Sequence, residues 1–329
     1  MCMPIRRRLM PGTDLDLSVI SLGSVPFGGD VSEDDTFRLL DAYAELGGNF
    51  IDTAEVYSNW LPGEPSRAER RIGKWLRSRG LAGRVTVATK GGHPRLDTMH
   101  VMRLSPQEIK EDIEGSLARL GLEQIPLYYL HRDDPSRSVG EMMDVLAEAV
   151  AAGCVRYLAC SNWRPERIRA AQEYAAQRGR PRFVADQVRW SLARVNPKSQ
   201  KDPGLVEMDD ELYEYQRTSG LAAVAYSSQA QGFFSGAYGR EAGRPRTPKA
   251  KKIKAYYYNE QNFRRLERVM ELSRRLGRAP TQVALAYLLN QPFAAYAIIG
   301  CSSLEHLRES AGAHDIELAP AQVRWLDSG

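Results

Sequence analysis

The stretch SPQEIKEDIEGSLARLGLEQIPLYYLH, residues 105–131, contains one complete unit of helix followed by strand. It opens with Ser105 and Pro106, which are favoured at a helix N-cap and in the first turn, and its helical pattern stops at Gly121. The apolar run IPLYYL follows at 125–130. An almost uninterrupted apolar run of this length is typical of a strand in a parallel sheet that is covered on both faces.

The same unit recurs along the chain. Apolar runs predict eight strands: SVISL (18–22), NFID (49–52), VTVAT (85–89), IPLYYL (125–130), VRYLAC (155–160), FVADQ (183–187), LAAVAY (221–226) and AYAII (295–299). Helical patterns with start and stop signals lie between them, for example at 32–47, 164–179 and 302–313. Eight alternating units predict an α/β fold, the (β/α)8 TIM barrel. A doubly wound sheet would need a GxGxxG or GxxxxGK[ST] loop, and the sequence has neither.

Segments outside this repeat refine the prediction. At the first strand, SVISL, an alternative stays open, in which RRLMPGTDLDLSVIS instead begins with a hairpin across the barrel bottom that turns at Pro11 and Gly12. Residues 189–208 and 232–258 predict long loops after the sixth and seventh strands, at the end of the barrel where active sites lie. The second loop carries seven Lys or Arg residues between Arg240 and Lys254, which suits either an anion clamp or a solvated loop. With no Ser/Gly-rich linker, one domain is expected over residues 1–329.

The composition excludes several classes of protein. The chain is 43% apolar and 26% charged, without an apolar run near the ~20 residues that a membrane helix needs. A net charge of +4 is too small and too dispersed to indicate nucleic-acid binding. The start MCMPIRRRLMPG lacks the apolar region of a secretory signal, which favours the cytoplasm. Four cysteines without CxxC spacing and five histidines without HxH or HExxH predict no metal site. Oligomeric state stays open.

Polar residues cluster where the predicted strands end. They are Asp52 with Tyr57, Lys90, His131, Ser161 with Asn162, Gln187, and Tyr226 with Ser227 and Ser228. A tyrosine with its usual pKa near ~10 is a poor proton donor, and a lysine beside it favours its anion. An aspartate paired with that lysine would keep it charged and oriented. The set suits a Tyr–Lys–Asp relay that donates a proton to a carbonyl oxygen while a hydride reaches the carbon, with His131 orienting that oxygen.

Each of these residues also has an ordinary structural interpretation. Asp52 fits a helix N-cap, Tyr57 a loop aromatic, and Lys90 a surface charge. Their joint occurrence at consecutive strand ends of one barrel favours the catalytic interpretation.

Five motifs, in order, resemble the aldo-keto reductase superfamily, in the general branch that includes potassium-channel β subunits. They are GGNFIDTAEVY (47–57), ATKGG (88–92), SLARLGLEQIPLYYLHRDD (116–134), GCVRYLACSNW (153–163) and IIGCSSLEHLRES (298–310). The similarity covers nearly the whole chain. It implies an NADP(H)-dependent oxidoreductase, with NAD also possible, that acts on an aldehyde, ketone or sugar carbonyl or on the corresponding alcohol.

The resemblance also assigns roles. Tyr57 would be the general acid, tuned by Lys90 and Asp52, and His131 would position the carbonyl. The residues implied to bind the cofactor are Gly23, Ser24, Val25, Asp52, Ser161, Asn162, Gln187, Tyr226, Ser227, Ser228, Gln229, Gln231, Gly300, Ser302, His306, Glu309 and Ser310. The residues expected to contact the small-molecule substrate are Val25, Tyr57, Trp60, His93, His131 and Trp190.

The sequence departs from the family pattern where the 2′-phosphate of NADP would bind. Many relatives have Lys or Arg in the segment that here reads Gly300-Cys301, and some have a lysine where this chain has Ala237. Compensating positive charge would have to come from Arg246, Lys249 or Lys251. Pro126 replaces an aspartate that is usual in the strand before the histidine.

Two other classes stay open. One is a cofactor-binding regulatory subunit with little turnover, like the channel-associated β subunits. The other is a hydrolase or lyase on an unrelated barrel, which would have to work without a carboxylate pair or a metal.

Overall fold

The computed structural model describes residues 3–240 and 247–328. In this part of the chain, two short antiparallel strands, β1 (Arg7–Leu9) and β2 (Asp16–Ser18), precede a closed barrel of eight parallel strands. The barrel strands are β3 (Ile20–Gly23), β4 (Phe50–Asp52), β5 (Thr86–Gly91), β6 (Ile125–Leu130), β7 (Val155–Ser161), β8 (Phe183–Arg189), β9 (Ala222–Tyr226) and β10 (Ala295–Gly300). Each pairs with the next, and β10 closes against β3, which confirms the predicted TIM barrel.

Helices cover the outside of the barrel. They are α1 (Glu33–Glu45), α2 (Arg67–Arg79), α3 (Pro106–Leu120), α4 (Val139–Ala151), α5 (Pro165–Gln177), α6 (Asp210–Ser219), α7 (Pro248–Tyr257), α8 (Glu260–Leu276), α9 (Pro280–Leu289), α10 (Leu304–Ala311) and α11 (Pro320–Asp327). In α3, Ser105 and Glu108 form a reciprocal capping box, and the helix ends at Gly121 in the left-handed conformation. Across residues 3–240 and 247–328, no helix combines the length and apolar character that crossing a membrane requires.

Side chains on the strands divide between two cores. Tyr129 faces the barrel interior, whereas its neighbours Tyr128 and Leu130 pack against the helices. The β1–β2 hairpin closes the bottom of the barrel, because Met10 and Leu17 belong to the interior cluster. The structure thus contains the alternative hairpin as well as a first barrel strand, β3, which covers the last three residues of the predicted SVISL run. The same alternation fixes which polar side chains point inward at the other end of the barrel.

The two predicted loops differ in structure. Segment 189–208, described throughout, contains a single turn of 3-10 helix, Pro197–Ser199. The prediction for 232–258 was wrong in part, because this segment includes α7 as well as the end of a 3-10 helix, Ala230–Ser235. Thr247 caps α7 by accepting a hydrogen bond from the amide of Ala250, and Pro248 occupies the first turn. Both start signals are present in the sequence, but they lie within a segment rich in charged residues that was predicted as a loop.

Candidate active site

A cavity of about 740 Å³ opens at the C-terminal ends of the barrel strands. Most of the residues that the sequence analysis selected lie on its wall. They are Gly23, Val25, Asp52, Tyr57, Trp60, His131, Ser161, Asn162, Gln187, Tyr226, Ser227, Ser228, Gln229, Gln231, Gly300 and Ser302. Residues that are far apart in sequence converge because all eight parallel strands end on the same side of the barrel.

Lys90 joins Asp52 and Tyr57 at the base of this cavity. The Lys90 ammonium lies 2.7 Å from Asp52 Oδ1, 2.7 Å from the carbonyl oxygen of Thr53 and 3.1 Å from Tyr57 Oη. An ammonium group only donates hydrogen bonds, so the phenolic oxygen accepts in this contact. The hydroxyl hydrogen of Tyr57 is therefore left to point elsewhere, and Tyr57 lies on the cavity wall.

Backbone hydrogen bonds fix the loop that carries Tyr57. Beyond the last residue of β4, the amides of Thr53 and Glu55 still donate to the carbonyl oxygens of Ala88 and Lys90 on the neighbouring strand. The Tyr57 amide then donates to Ala54, which closes a turn. Glu55 points away from the cavity and accepts a hydrogen bond from Asn59. Its role is to stabilise the loop, whereas Tyr57 faces the cavity.

Burial and neighbouring charges together determine the charge states of Tyr57 and Lys90. Burial raises the pKa of Tyr57, and Lys90 works in the opposite direction without cancelling the rise, so the phenol keeps its proton at neutral pH. For Lys90, burial disfavours the charged form, but Asp52 and Tyr57 outweigh this effect and the pKa is raised. The sequence predicts that Lys90 favours the anion of Tyr57, but burial has the larger effect and the pKa is raised.

His131 follows β6 and borders the same cavity. Its backbone amide donates to Gly91, which holds it beside the end of β5. Burial, reinforced by His93, Lys90 and Arg132, lowers the pKa of His131 well below its usual value. The imidazole is therefore neutral at neutral pH. Its Nδ1 is buried and has no hydrogen-bond partner among the described residues.

Four polar side chains form the opposite wall. Gln187 donates through Nε2 to Asp52 Oδ2 at 2.7 Å, and Ser161 Oγ donates to the Gln187 carbonyl oxygen at 2.9 Å. Asn162 has a positive φ of 60°, and its Oδ1 accepts a hydrogen bond of 2.7 Å from the Tyr226 hydroxyl. These contacts place the Gln187 amide beside Asp52 and the Tyr226 hydroxyl beside Asn162.

A second cavity of about 750 Å³ adjoins the first. Gln229, Gln231 and Gly300 line both cavities. His306, Glu309 and Ser310, which the sequence analysis assigned to the adenosine end of a cofactor, line the second one. Ser310 Oγ also accepts a hydrogen bond of 2.9 Å from Gln229.

Two lysines of α7, Lys249 and Lys252, border this second cavity. Three bases were suggested from the sequence as replacements for the missing positive charge at the 2′-phosphate position. Lys249 lines the second cavity, whereas Lys251 is not among its lining residues. Arg246 lies outside the described residues. Lys252 was not considered, although one helical turn brings it to the same face as Lys249.

Four selected residues line neither cavity. Lys90 lies behind the wall, fully buried, and Ser24 is buried with a hydroxyl that has no partner among the described residues. His93 packs against His131 with ring centroids 4.8 Å apart. Trp190 stacks on Phe293 with centroids 5.8 Å apart and belongs to the helix-facing core, so the structure does not bring it to the cavity.

Seven lining residues of the first cavity were not predicted from the sequence. They are Pro26, Gly29, Asp30, Arg132, Leu205, Ile298 and Cys301 in the first cavity. Arg132 could have been found, because it directly follows His131 at a strand end. Leu205 could not have been found, because the long segment 189–208 has no periodic pattern that predicts where its residues lie.

The paired cavities fit an elongated dinucleotide. Their shared wall at Gly300 joins the Asp52–Tyr57–Lys90 group to a compartment with two lysines, which suits a ligand with an uncharged ring at one end and phosphates towards the other. The Tyr226 ring adds a flat surface on the side of Tyr57 and His131. The chemistry of these groups is compatible with a nicotinamide dinucleotide.

Comparison with known proteins agrees with this geometry. The model of the aldo/keto reductase family matches residues 19–328. The chain is 30% identical to the aldo-keto reductase ausK of Emericella nidulans, over 98% of this chain and 80% of that protein. It is 31% identical to the uncharacterized oxidoreductase YrpG of Bacillus subtilis, over 96% and 93%. It is 26% identical to the aryl-alcohol dehydrogenase (NADP(+)) of Phanerodontia chrysosporium, over 98% and 84%. The chain therefore belongs to the aldo/keto reductase family of oxidoreductases.

Proposed function

We propose that this protein is an NADPH-dependent reductase that converts an aldehyde, ketone or sugar carbonyl to an alcohol, or catalyses the reverse oxidation. The observation that supports this most directly is the buried Lys90 ammonium in contact with both Asp52 and Tyr57. This arrangement leaves a protonated phenol with a free hydroxyl hydrogen on the wall of a cavity.

Tyr57 is the proposed general acid. When bound, the nicotinamide cofactor supplies the hydride that reaches the carbonyl carbon. As negative charge grows on the carbonyl oxygen, Tyr57 gives up its proton to that oxygen, and Lys90 stabilises the phenolate left behind. Asp52 keeps Lys90 charged and directed at Tyr57. In the oxidative direction the same phenolate takes the proton back.

The neutral His131 is proposed to hold the carbonyl oxygen next to Tyr57. A neutral imidazole donates one hydrogen bond without adding a positive charge that would compete with Lys90 for the phenolate. The two rings lie edge to face with centroids 6.0 Å apart, so both border the same space.

The polar wall opposite them is proposed to hold the nicotinamide. Ser161, Asn162 and Gln187 carry donors and acceptors that match a carboxamide, and the Tyr226 ring offers a stacking surface. Engagement of Gln187 and Asn162 by the cofactor would replace or share the hydrogen bonds that they make with Asp52 and Tyr226. Ser227, Ser228 and Gln229 would line the phosphate path towards the second cavity.

A preference for NADP over NAD is proposed to come from Lys249 and Lys252. Both border the cavity that contains Ser310 and His306, where the 2′-phosphate would lie. One relative carries NADP in its name, which supports the same cofactor here.

The proposal is tested by following NADPH consumption with a panel of aldehydes, ketones and sugars. We expect turnover by the wild type and at least a ~10²-fold loss in kcat for Tyr57→Phe, since general acid catalysis contributes about that much. NADPH binding, measured by fluorescence quenching, should stay within about twofold. An active Tyr57→Phe enzyme would overturn the acid role. Tight NADPH binding without reduction of any compound would favour the regulatory-subunit alternative instead.

A further inference from the structure

Arg132 is a buried cation in the first cavity to which the proposed reaction gives no role. It directly follows His131, borders the cavity and is only 6% exposed. Its position places a guanidinium group next to the residue that is proposed to hold the carbonyl oxygen. Any group attached near the carbonyl carbon of a substrate would come close to this side chain.

Three contacts hold the Arg132 side chain in place: Nη1 donates to the His131 carbonyl oxygen at 3.4 Å, and Nη2 contacts Asp202 and His93. Its Nη2 donates to Asp202 Oδ2 at 3.0 Å and lies 3.4 Å from His93 Nε2. His93 Nδ1 lies 2.6 Å from the carbonyl oxygen of Pro94, which can only accept, so Nδ1 carries the hydrogen and Nε2 is the acceptor. Burial lowers the pKa of His93 to about 4, which keeps its ring neutral.

The charge of Arg132 is already balanced. Asp202 offsets the guanidinium, just as Asp52 offsets Lys90 on the other side of His131. The region around the carbonyl site therefore has donors without an excess of positive charge. A carboxylate on the substrate would have to compete with Asp202, whereas a neutral oxygen needs only one of the five N–H donors of the guanidinium.

We propose that Arg132 is a specificity-determining residue that donates a hydrogen bond to a neutral oxygen, such as a hydroxyl, on the carbon next to the reacting carbonyl. The preferred substrates are then 2-hydroxy aldehydes and related sugars rather than simple alkyl aldehydes or carboxylate-bearing aldehydes. This inference rests on the proposed carbonyl reductase function, and it adds the class of substrate.

The test compares kcat/KM for glyceraldehyde, propanal and succinic semialdehyde with NADPH. The wild type should favour glyceraldehyde over propanal, and Arg132→Met should lower that ratio about tenfold or more, as expected for loss of a hydrogen bond to a charged donor. Any loss of propanal reduction should be smaller than the loss of glyceraldehyde reduction, because propanal has no second oxygen to bind. Asp202→Asn, which leaves the guanidinium uncompensated, should improve succinic semialdehyde selectively.

Three results would overturn the proposal. The first is a wild type without preference for glyceraldehyde, which needs no variant to detect. The second is an equal loss for propanal and glyceraldehyde in Arg132→Met or in the milder Arg132→Lys, because that indicates a structural role. The third is a wild-type preference for succinic semialdehyde that Arg132→Met abolishes, because that identifies an anion site. A wild type that reduces none of the three compounds would instead argue against the proposed function. Propanal reduction that is abolished by Tyr57→Phe would support the proposed function, independently of the result for Arg132.

Discussion

The Lys90 ammonium lies 2.7 Å from Asp52 Oδ1, and both side chains are shielded from water. They extend from neighbouring strands of the barrel, β4 and β5. Breaking a buried ion pair by removing one partner is far more costly than replacing the whole pair, because the remaining charge has no compensation. The pair that is proposed to tune Tyr57 therefore also contributes to whether the barrel can fold.

Asp52→Asn should lower both stability and activity. We expect the free energy of unfolding to fall by about 3 kcal/mol, since the Lys90 ammonium stays buried without its counter-ion. The double variant Asp52→Asn/Lys90→Met should regain much of this stability and remain inactive. Urea denaturation checks the first result and NADPH consumption the second.

Glu55→Gln is the matched control. Glu55 is an acid three residues after Asp52, and its side chain contacts Asn59 rather than the Lys90 ammonium. Burial raises the pKa of Glu55, so removing its charge should cost little. Equal urea midpoints for Asp52→Asn and the wild type would contradict the importance of the pair.

The pH dependence of reduction should follow Tyr57 and not His131. Burial raises the pKa of Tyr57 above its usual value near ~10, so kcat should be constant through the neutral range and decline only in strongly basic solution, where the phenol loses its proton. Burial lowers the pKa of His131 well below ~6.5, so no inflection should occur there. An inflection near pH ~6.5 that disappears in His131→Asn would contradict the neutral state of this ring.

The fold was predictable because the repeat is carried by local signals. Ser105, Pro106 and Gly121 delimit α3 where the sequence predicts it, and the apolar run after it is β6. Strand ends were predictable for the same reason, so Asp52, Tyr57 and His131 could be placed on one cavity by topology alone.

Contacts made by long segments were not predictable. Trp190 follows β8 and was expected at the cavity, yet it packs against Phe293 in the core. The position of Asp202 beside Arg132 depends on how a segment without periodicity folds back. Whether burial or Lys90 has the larger effect on the pKa of Tyr57 also could not be predicted without the three-dimensional environment. Sequence patterns predict on which face of a strand a side chain lies. They do not predict how deeply the side chain is buried.

Removing the positive charge of α7 should weaken NADPH binding selectively. Lys249→Ala/Lys252→Ala should raise the Kd for NADPH about tenfold and leave that for NADH nearly unchanged, because the two cofactors differ only in the 2′-phosphate. Lys251→Ala is the control, since Lys251 is on the same helix but is not among the residues that line this cavity. Equal effects on NADPH and NADH, or an equal effect of Lys251→Ala, would show that these lysines do not recognise the phosphate.

The contribution of Asp186 to the stability of the barrel should decrease as the pH rises through the weakly acid and neutral range. Asp186 is fully buried on β8, where its carboxyl contacts Cys160 Sγ at 3.7 Å and Gln216 Nε2 at 3.3 Å. Burial raises the pKa of Asp186 to about 8, whereas an unfolded aspartate titrates near ~3.9. Between these values the native state holds a proton that the unfolded state has released, so stability falls as pH rises across this window and levels off above it.

Asp186→Asn should remove this dependence, because an amide is neutral at every pH. The wild type should lose a few kcal/mol more than the variant between about pH 4 and pH 8, since each pKa unit corresponds to about 1.4 kcal/mol. Urea denaturation at several pH values measures the difference, with Asp97→Asn at an exposed carboxyl as the control for loss of one charge. Parallel stability curves for the wild type and Asp186→Asn would mean that Asp186 is ionised in the folded protein. Its contacts with Cys160 and Gln216 would then have to stabilise a buried carboxylate.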